Sequence, residues 1–206
     1  GEHYGVSGED IKVLRYRPSA DGTHSFSTSG DFKYDNTTNF ASSATDVYTY
    51  LDDDDQTSTA DYIAQAAAGT GEYVEVLFAD ESTENSPRYV GITSVHLSST
   101  TGANEMHMRA SDDGTNWTNV WGDWATTGLD ISDTATVHNL HKVLSTKPSG
   151  GSWTQDAVNG LRIQWGNSDD VVGVPYIHSV SIQVAWGPAT TATVSDPFGM
   201  SGFFGV

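Results

Sequence analysis

The apolar residues of this chain fall into short runs, and turn signals interrupt them so often that strands fit the spacing and long helices do not. Residues 61–64, 73–78, 89–97, 105–110, 117–121, 138–144, 161–165 and 176–186 read as strands. Gly69-Thr70-Gly71, Thr101-Gly102, Asp112-Asp113-Gly114 and Ser149-Gly150-Gly151 are turn signals between them. In the last run Ile177, Val180, Ile182, Val184 and Trp186 mostly alternate with Ser181, Gln183 and Ala185, as in a strand with one buried face. One helix signal stands among the strands. Ser152 is placed to cap it, Gln155 completes a capping box, and Trp153, Ala157 and Leu161 share a helical face. The expected fold is all-β: an antiparallel β-sandwich of jelly-roll type with one short helix near 153–160. Without helix-length amphipathic segments, a doubly wound or barrel α/β enzyme is not expected.

Three parts follow from this pattern. Residues 1–18 form an arm or first strand, with Ile11, Val13, Leu14 and Tyr16 stopped by Pro18, which could pair within the chain or with a neighbouring subunit. Residues 19–187 are the sandwich. Residues 188–206 form a C-terminal docking tail whose Phe198, Met200, Phe203, Phe204 and Val206 would be an aggregation hazard if left free. Hydrophobic residues are only 36% of the chain, but six Trp and nine Tyr supply large buried areas to a thin core. The formal charge of -18 argues against nucleic acid and against anionic membrane surfaces as partners. It suits a hydrated surface in a saline or marine setting, where salt screens self-repulsion. Cysteine is absent, so disulfides and thiolate chemistry are excluded. No apolar run is long enough to span a bilayer.

Little in the chain resembles catalytic machinery. There is no G-x-S-x-G elbow, Walker loop or H-E-x-x-H, and an enzyme is not expected. His138 and His141 stand three apart, which on a strand places them on opposite faces. In Met106-His107-Met108 the two methionines face one side and the histidine the other, so a core reading is preferred to a metal site. His96 and His178 lie among apolar strand neighbours. Asp52, Asp53, Asp54 and Asp55, and separately Asp112 and Asp113, could hold Ca²⁺ through oxygen ligands; the plainer readings are a solvated acidic loop and a hairpin turn. No other cofactor is expected.

Two segments carry resemblances. Ser111-Asp112-Asp113-Gly114-Thr115-Asn116-Trp117 resembles the S-x-D-G-x-x-W hairpin of discoidin-like sandwich domains. That likeness implies a sugar platform of Trp117, Trp121 and Trp124, set against a reading of these residues as core and interface aromatics. PSGGSWTQDAVNGLRIQWG followed by YIHSVSIQVAW resembles a jelly-roll module of structural proteins of tailed viruses, with Trp153, Thr154, Asp156, Val158, Asn159 and Leu161 at or near the motif positions. Ala157 intervenes where the motif joins Asp to Val. This second likeness implies a virion structural protein, capsid-decorating or fibre-like, made in the host cytoplasm and displayed on the particle surface. Its partners would be other copies of itself and other virion proteins, joined through Ile11, Val13 and Leu14 of the arm and through the tail. The alternative is a carbohydrate-binding or adhesion module, and the two readings meet if the partner is a host surface glycan.

Overall fold

The computed structural model describes residues 11–25, 32–34, 38–40, 44–51, 62–65, 72–84, 87–98, 105–125, 128–131, 137–167 and 175–187. Among these, thirteen strands, numbered in chain order, form two antiparallel sheets. One sheet is ordered β11 (His138–Leu144), β7 (Pro87–Ser98), β13 (Pro175–Trp186), β5 (Ile63–Gln65), β3 (Phe32–Tyr34) and β4 (Thr38–Asn39), with β1 (Lys12–Tyr16) beside the end of β13. The other is ordered β10 (Leu129–Asp130), β8 (Glu105–Ser111), β12 (Arg162–Asn167), β6 (Glu72–Phe78) and β2 (Pro18–Asp21), with β9 (Thr118–Trp121) on β8. The expected antiparallel sandwich is the observed one, and all eight strand runs read from the sequence are present. The pattern gave no warning of β2, β3, β4 and β10, which have two to four residues each, too few for alternation to register.

Alternation sets the two layers. Val180, Ile182, Val184 and Trp186 of β13 face Val74, Val76, Met108, Ile163 and Trp165 of the opposite sheet in one core. Trp165 meets Phe32 edge-on with ring centroids 6.0 Å apart, and the Trp121 indole donates to Ser94 Oγ at 3.2 Å, so each contact joins the layers. Burying aromatic rings of this size contributes on the order of 1.5–3 kcal/mol each. A register shift between Ile177 and Ser179 inserts an extra residue, His178, opposite β7.

The helix α1 spans Gln155–Asn159, and its cap differs from expectation: Thr154, not Ser152, accepts from the Ala157 N–H, while Ser152 is exposed. The chain turns at Gly150 and Gly151, both at positive φ, and enters the helix two residues later than the capping box suggested. The greasy face is as predicted. Trp153, Ala157 and Leu161 are buried, and the Trp153 indole donates to the Leu144 carbonyl at 2.8 Å. Polar side chains of the same helix fix the turn after β6: Gln155 and Asn159 donate to the Glu81 carbonyl, and Asn159 accepts from the Glu81 N–H.

The arm enters as the first strand of its own sandwich, with Lys12–Tyr16 in register against 182–186 of β13. Leu14 packs on the core, whereas Ile11 and Val13 stay exposed on the other side. Tyr16 accepts from the Trp186 indole at 3.1 Å and donates to Glu81 at 2.8 Å. Hydrogen bonds from the Thr83 hydroxyl and N–H, then from Tyr16, hold the Glu81 carboxyl down at about 2.

Candidate ligand-binding face

Three neighbouring strands, β8, β12 and β6, turn alternate residues outward. Their inward positions are Met108 and Ala110, Ile163 and Trp165, and Val74 and Val76, all buried in the core. Strand period therefore points Arg109, Gln164 and Glu75 the other way, and the register sets these three side by side in one row. The row is hydrogen-bonded throughout. Arg109 Nε donates to Gln164 Oε1 at 2.7 Å, and Gln164 Nε2 donates to Glu75 Oε2 at 2.5 Å. Glu75 Oε1 accepts from the Thr23 N–H at 3.1 Å, and the Arg162 guanidinium stands 3.6 Å from it. Gln164 and Glu75 are buried, so both are locked by their neighbours.

The adjacent row pairs His107 of β8 with Gly166 of β12 and Tyr73 of β6. Gly166 leaves a gap between the two rings, and a Cβ there would lie 2.2 Å from the Glu72 carbonyl oxygen. Trp124 spans this gap: its ring meets Tyr73 at 6.0 Å and His107 at 6.3 Å, both edge-to-face. Arg109 lies over the Trp124 ring at 4.0 Å from its centroid, over Trp117 at 4.6 Å and over Tyr73 at 5.9 Å. Such contacts contribute roughly 0.5–2 kcal/mol each and rise with desolvation. Burial also lowers the Arg109 pKa. Tyr73, Trp117, Trp124 and Arg109 are all half-buried, so each keeps a surface open to solvent.

The Asp-Gly hairpin delivers Trp117 to this face. Asp113 accepts from the Thr115 and Asn116 N–H groups at 2.8 and 2.7 Å and from the Asn116 amide at 2.7 Å. Gly114 takes positive φ at the turn. The Asn116 backbone and side-chain donors hold the Asp113 carboxyl well below the usual range. Asp112 is buried and accepts from Ser149 N–H and Oγ at 2.8 and 2.7 Å, with Lys147 Nζ at 3.5 Å. Both carboxylates are thus committed to hairpin and loop contacts, the plainer of the two readings of this segment. Among the described residues no group of three or more ligand-type side chains is placed to hold a metal ion.

The remaining expectations divide. Trp117 and Trp124 meet at one site, whereas Trp121 turns to the interior and packs against the core, which removes it from the proposed platform. Asp52, Asp53, Asp54 and Asp55, and the tail residues Phe198, Met200, Phe203, Phe204 and Val206, lie outside the described residues. His138 and His141 do occupy opposite faces: His138 pairs with His96, and His141 is exposed against Thr93 Oγ1 at 3.0 Å. Met106 and Met108 are core residues, and His107 is buried beneath Trp124 on the outer side. Tyr73, Arg109, Gln164 and Glu75 were not anticipated. A signal for them exists in the sequence, since they alternate with Val74, Val76, Met108, Ala110, Ile163 and Trp165 along the three strands.

No protein-family model matches the chain, and no curated protein matches it. Solved structures do. A xylan-binding module, CBM15, is similar at 17% identity and TM-score 0.43, over 86% of this chain and 99% of that one. A CBM29-2 mutant complexed with mannohexaose is similar at 7% identity and TM-score 0.35, over 84% and 92%. The ANXUR2 extracellular domain from Arabidopsis thaliana is similar at 11% identity and TM-score 0.37, over 82% and 41%. These low identities and scores leave the reading of the face to its own geometry.

Proposed function

We propose that the protein is a carbohydrate-binding module and that it binds through the outward face of β6, β8 and β12. The observation that carries this reading is the convergence of Trp117 and Trp124 on Arg109, beside a row of fixed donors and acceptors. A pyranose ring has an apolar C–H face and a rim of hydroxyls. Half-buried indoles take the first, and the Arg109 guanidinium, held by the buried Gln164–Glu75 pair, takes the second. Because Arg109 and the edge contacts already hold the rings, little ordering entropy remains to oppose binding. The role is one of binding rather than catalysis. The virion-surface role implied by the Trp153–Leu161 motif gains no support from this face.

An array of plant, algal and microbial polysaccharides, followed by affinity electrophoresis of the positives, tests the proposal. Retention of the wild-type protein is expected on at least one polymer. Trp124→Ala should weaken it by roughly 2–4 kcal/mol, as for a central aromatic anchor, and Trp117→Ala should weaken it less. Absence of retention on every polymer at both low and high salt would overturn the reading.

A further inference from the structure

Acidic residues outnumber basic ones 27 to 9, and Lys12, Lys147 and Arg162 each lie within ion-pair distance of a carboxylate. Arg109 does not. Its one hydrogen bond runs from Nε to the neutral Gln164 amide, and the rest of its contacts are aromatic rings. The two terminal nitrogens donate to no described residue and are not among the buried unpartnered atoms. A half-buried guanidinium held by its inner nitrogen, with terminal N–H groups not sealed from solvent, can grip a carboxylate through two parallel hydrogen bonds. Desolvation by the surrounding rings strengthens such a pair relative to one in open water.

The surroundings limit how much negative charge the ligand can bring. Glu75 lies in the same row, and the whole chain carries -18. A polyuronate would set a carboxylate on every sugar against that field. A mainly neutral polymer with widely spaced acidic sugars would not, because charges more than about 8 Å apart are screened at physiological ionic strength. We propose that Arg109 is a carboxylate subsite, and that the ligand is a largely neutral polysaccharide bearing isolated uronic acid residues. This rests on the carbohydrate reading above and narrows it.

The test uses glucuronoxylan, xanthan and gum arabic, each in native form and after chemical reduction of its carboxyl groups, together with polygalacturonate as a dense polyanion. Wild-type protein is expected to bind at least one native polymer about tenfold or more tightly than its reduced form, the scale of one charge-assisted bidentate contact. Arg109→Gln should abolish that preference, so that native and reduced polymers bind alike, although losing the ring contacts lowers binding of both. Arg109→Lys, which keeps the charge and loses the fork, should fall between. Equal binding of native and reduced polymers would overturn the carboxylate subsite and leave the carbohydrate reading standing. Preference for polygalacturonate would overturn the sparse-charge claim. If no polymer in either form binds, both readings fall. Comparing native and reduced ligands on unaltered protein keeps the test independent of whether the variants fold.

Discussion

The outward face of β6, β8 and β12 and the outward face of β7, β13 and β1 are built on the same pleat and share one core, yet they present different chemistry. On the first, charged and amide side chains form a bonded row and aromatic rings close over Arg109. On the second, the rows are His141–Thr93–Ser181, Val143–Gly91–Gln183–Arg15 and Tyr89–Ala185–Val13, a mix of hydroxyls, small residues and exposed apolar groups. Polar contacts on it include Arg15 Nε to Ser181 Oγ and Thr93 Oγ1 to His141 Nδ1, each at 3.0 Å. Tyr89 is 37% exposed and Val13 53% exposed, so apolar area alone does not distinguish the two faces. What separates them is preorganisation. The first face holds its groups in place by bonds among themselves, and the second scatters them.

The comparison holds only while both faces rest on the shared core, and Trp153→Ala should therefore have the largest effect. Losing the buried indole and its bond to Leu144 should cost about 3–5 kcal/mol, seen as a lower midpoint in denaturant with both faces lost together. A smaller effect is expected from Tyr89→Ala on the second face, which should leave polysaccharide retention unchanged where Trp124→Ala removes it. Equal loss in the two variants would erase the distinction between the faces.

Acid should weaken the fold through the buried His96. His96 of β7 is fully buried, with Ser94 Oγ at 2.7 Å; burial first, and then the neighbouring His178 and His138, lower its pKa to about 3. Since the unfolded chain takes up this proton near 6.5, the neutral ring contributes stability above that pH, and the contribution is lost as pH falls from 6.5 toward 3. Thermal midpoints measured across that window should fall, and His96→Leu should flatten the slope. A wild-type midpoint constant from pH 7 to 4 would contradict the assignment. The smallest effect should come from Ile11→Ser combined with Val13→Ser. Both side chains are exposed, so stability should change by about 0.5 kcal/mol or less. Light scattering on the same variant would show whether these residues join subunits, since loss of an oligomer would assign the second face to assembly.

Parts of the candidate site could be read from the chain because they are local. Asp-Gly before Trp117 specifies a hairpin through turn geometry alone, and the structure has that hairpin, with Asp113 bonding to the two residues that follow the turn. For Trp121 the sequence left platform and core readings both open, because a strand leading out of a turn can place either parity inward, and the structure places it against the core. The bulge between Met108 and Arg109 changes that phase against β9. Ser152 was chosen as cap for a related reason, since Ser152 and Thr154 both have capping chemistry and only the backbone path through Gly150 and Gly151 selects between them.

The sequence by itself determined the strands with period-two patterns, the buried Trp153 helix face and the hairpin, because each depends on residues within one or two turns of each other. Only the tertiary structure decided that Arg109, Gln164 and Glu75 form one row and that Trp124 closes over Gly166. Those strands are not consecutive: β8, β12 and β6 are neighbours only after the chain has crossed between sheets. Alternation dictates which side of a strand a residue faces, but lateral register between distant strands is fixed by the packing of the whole core, and the site lies in that register.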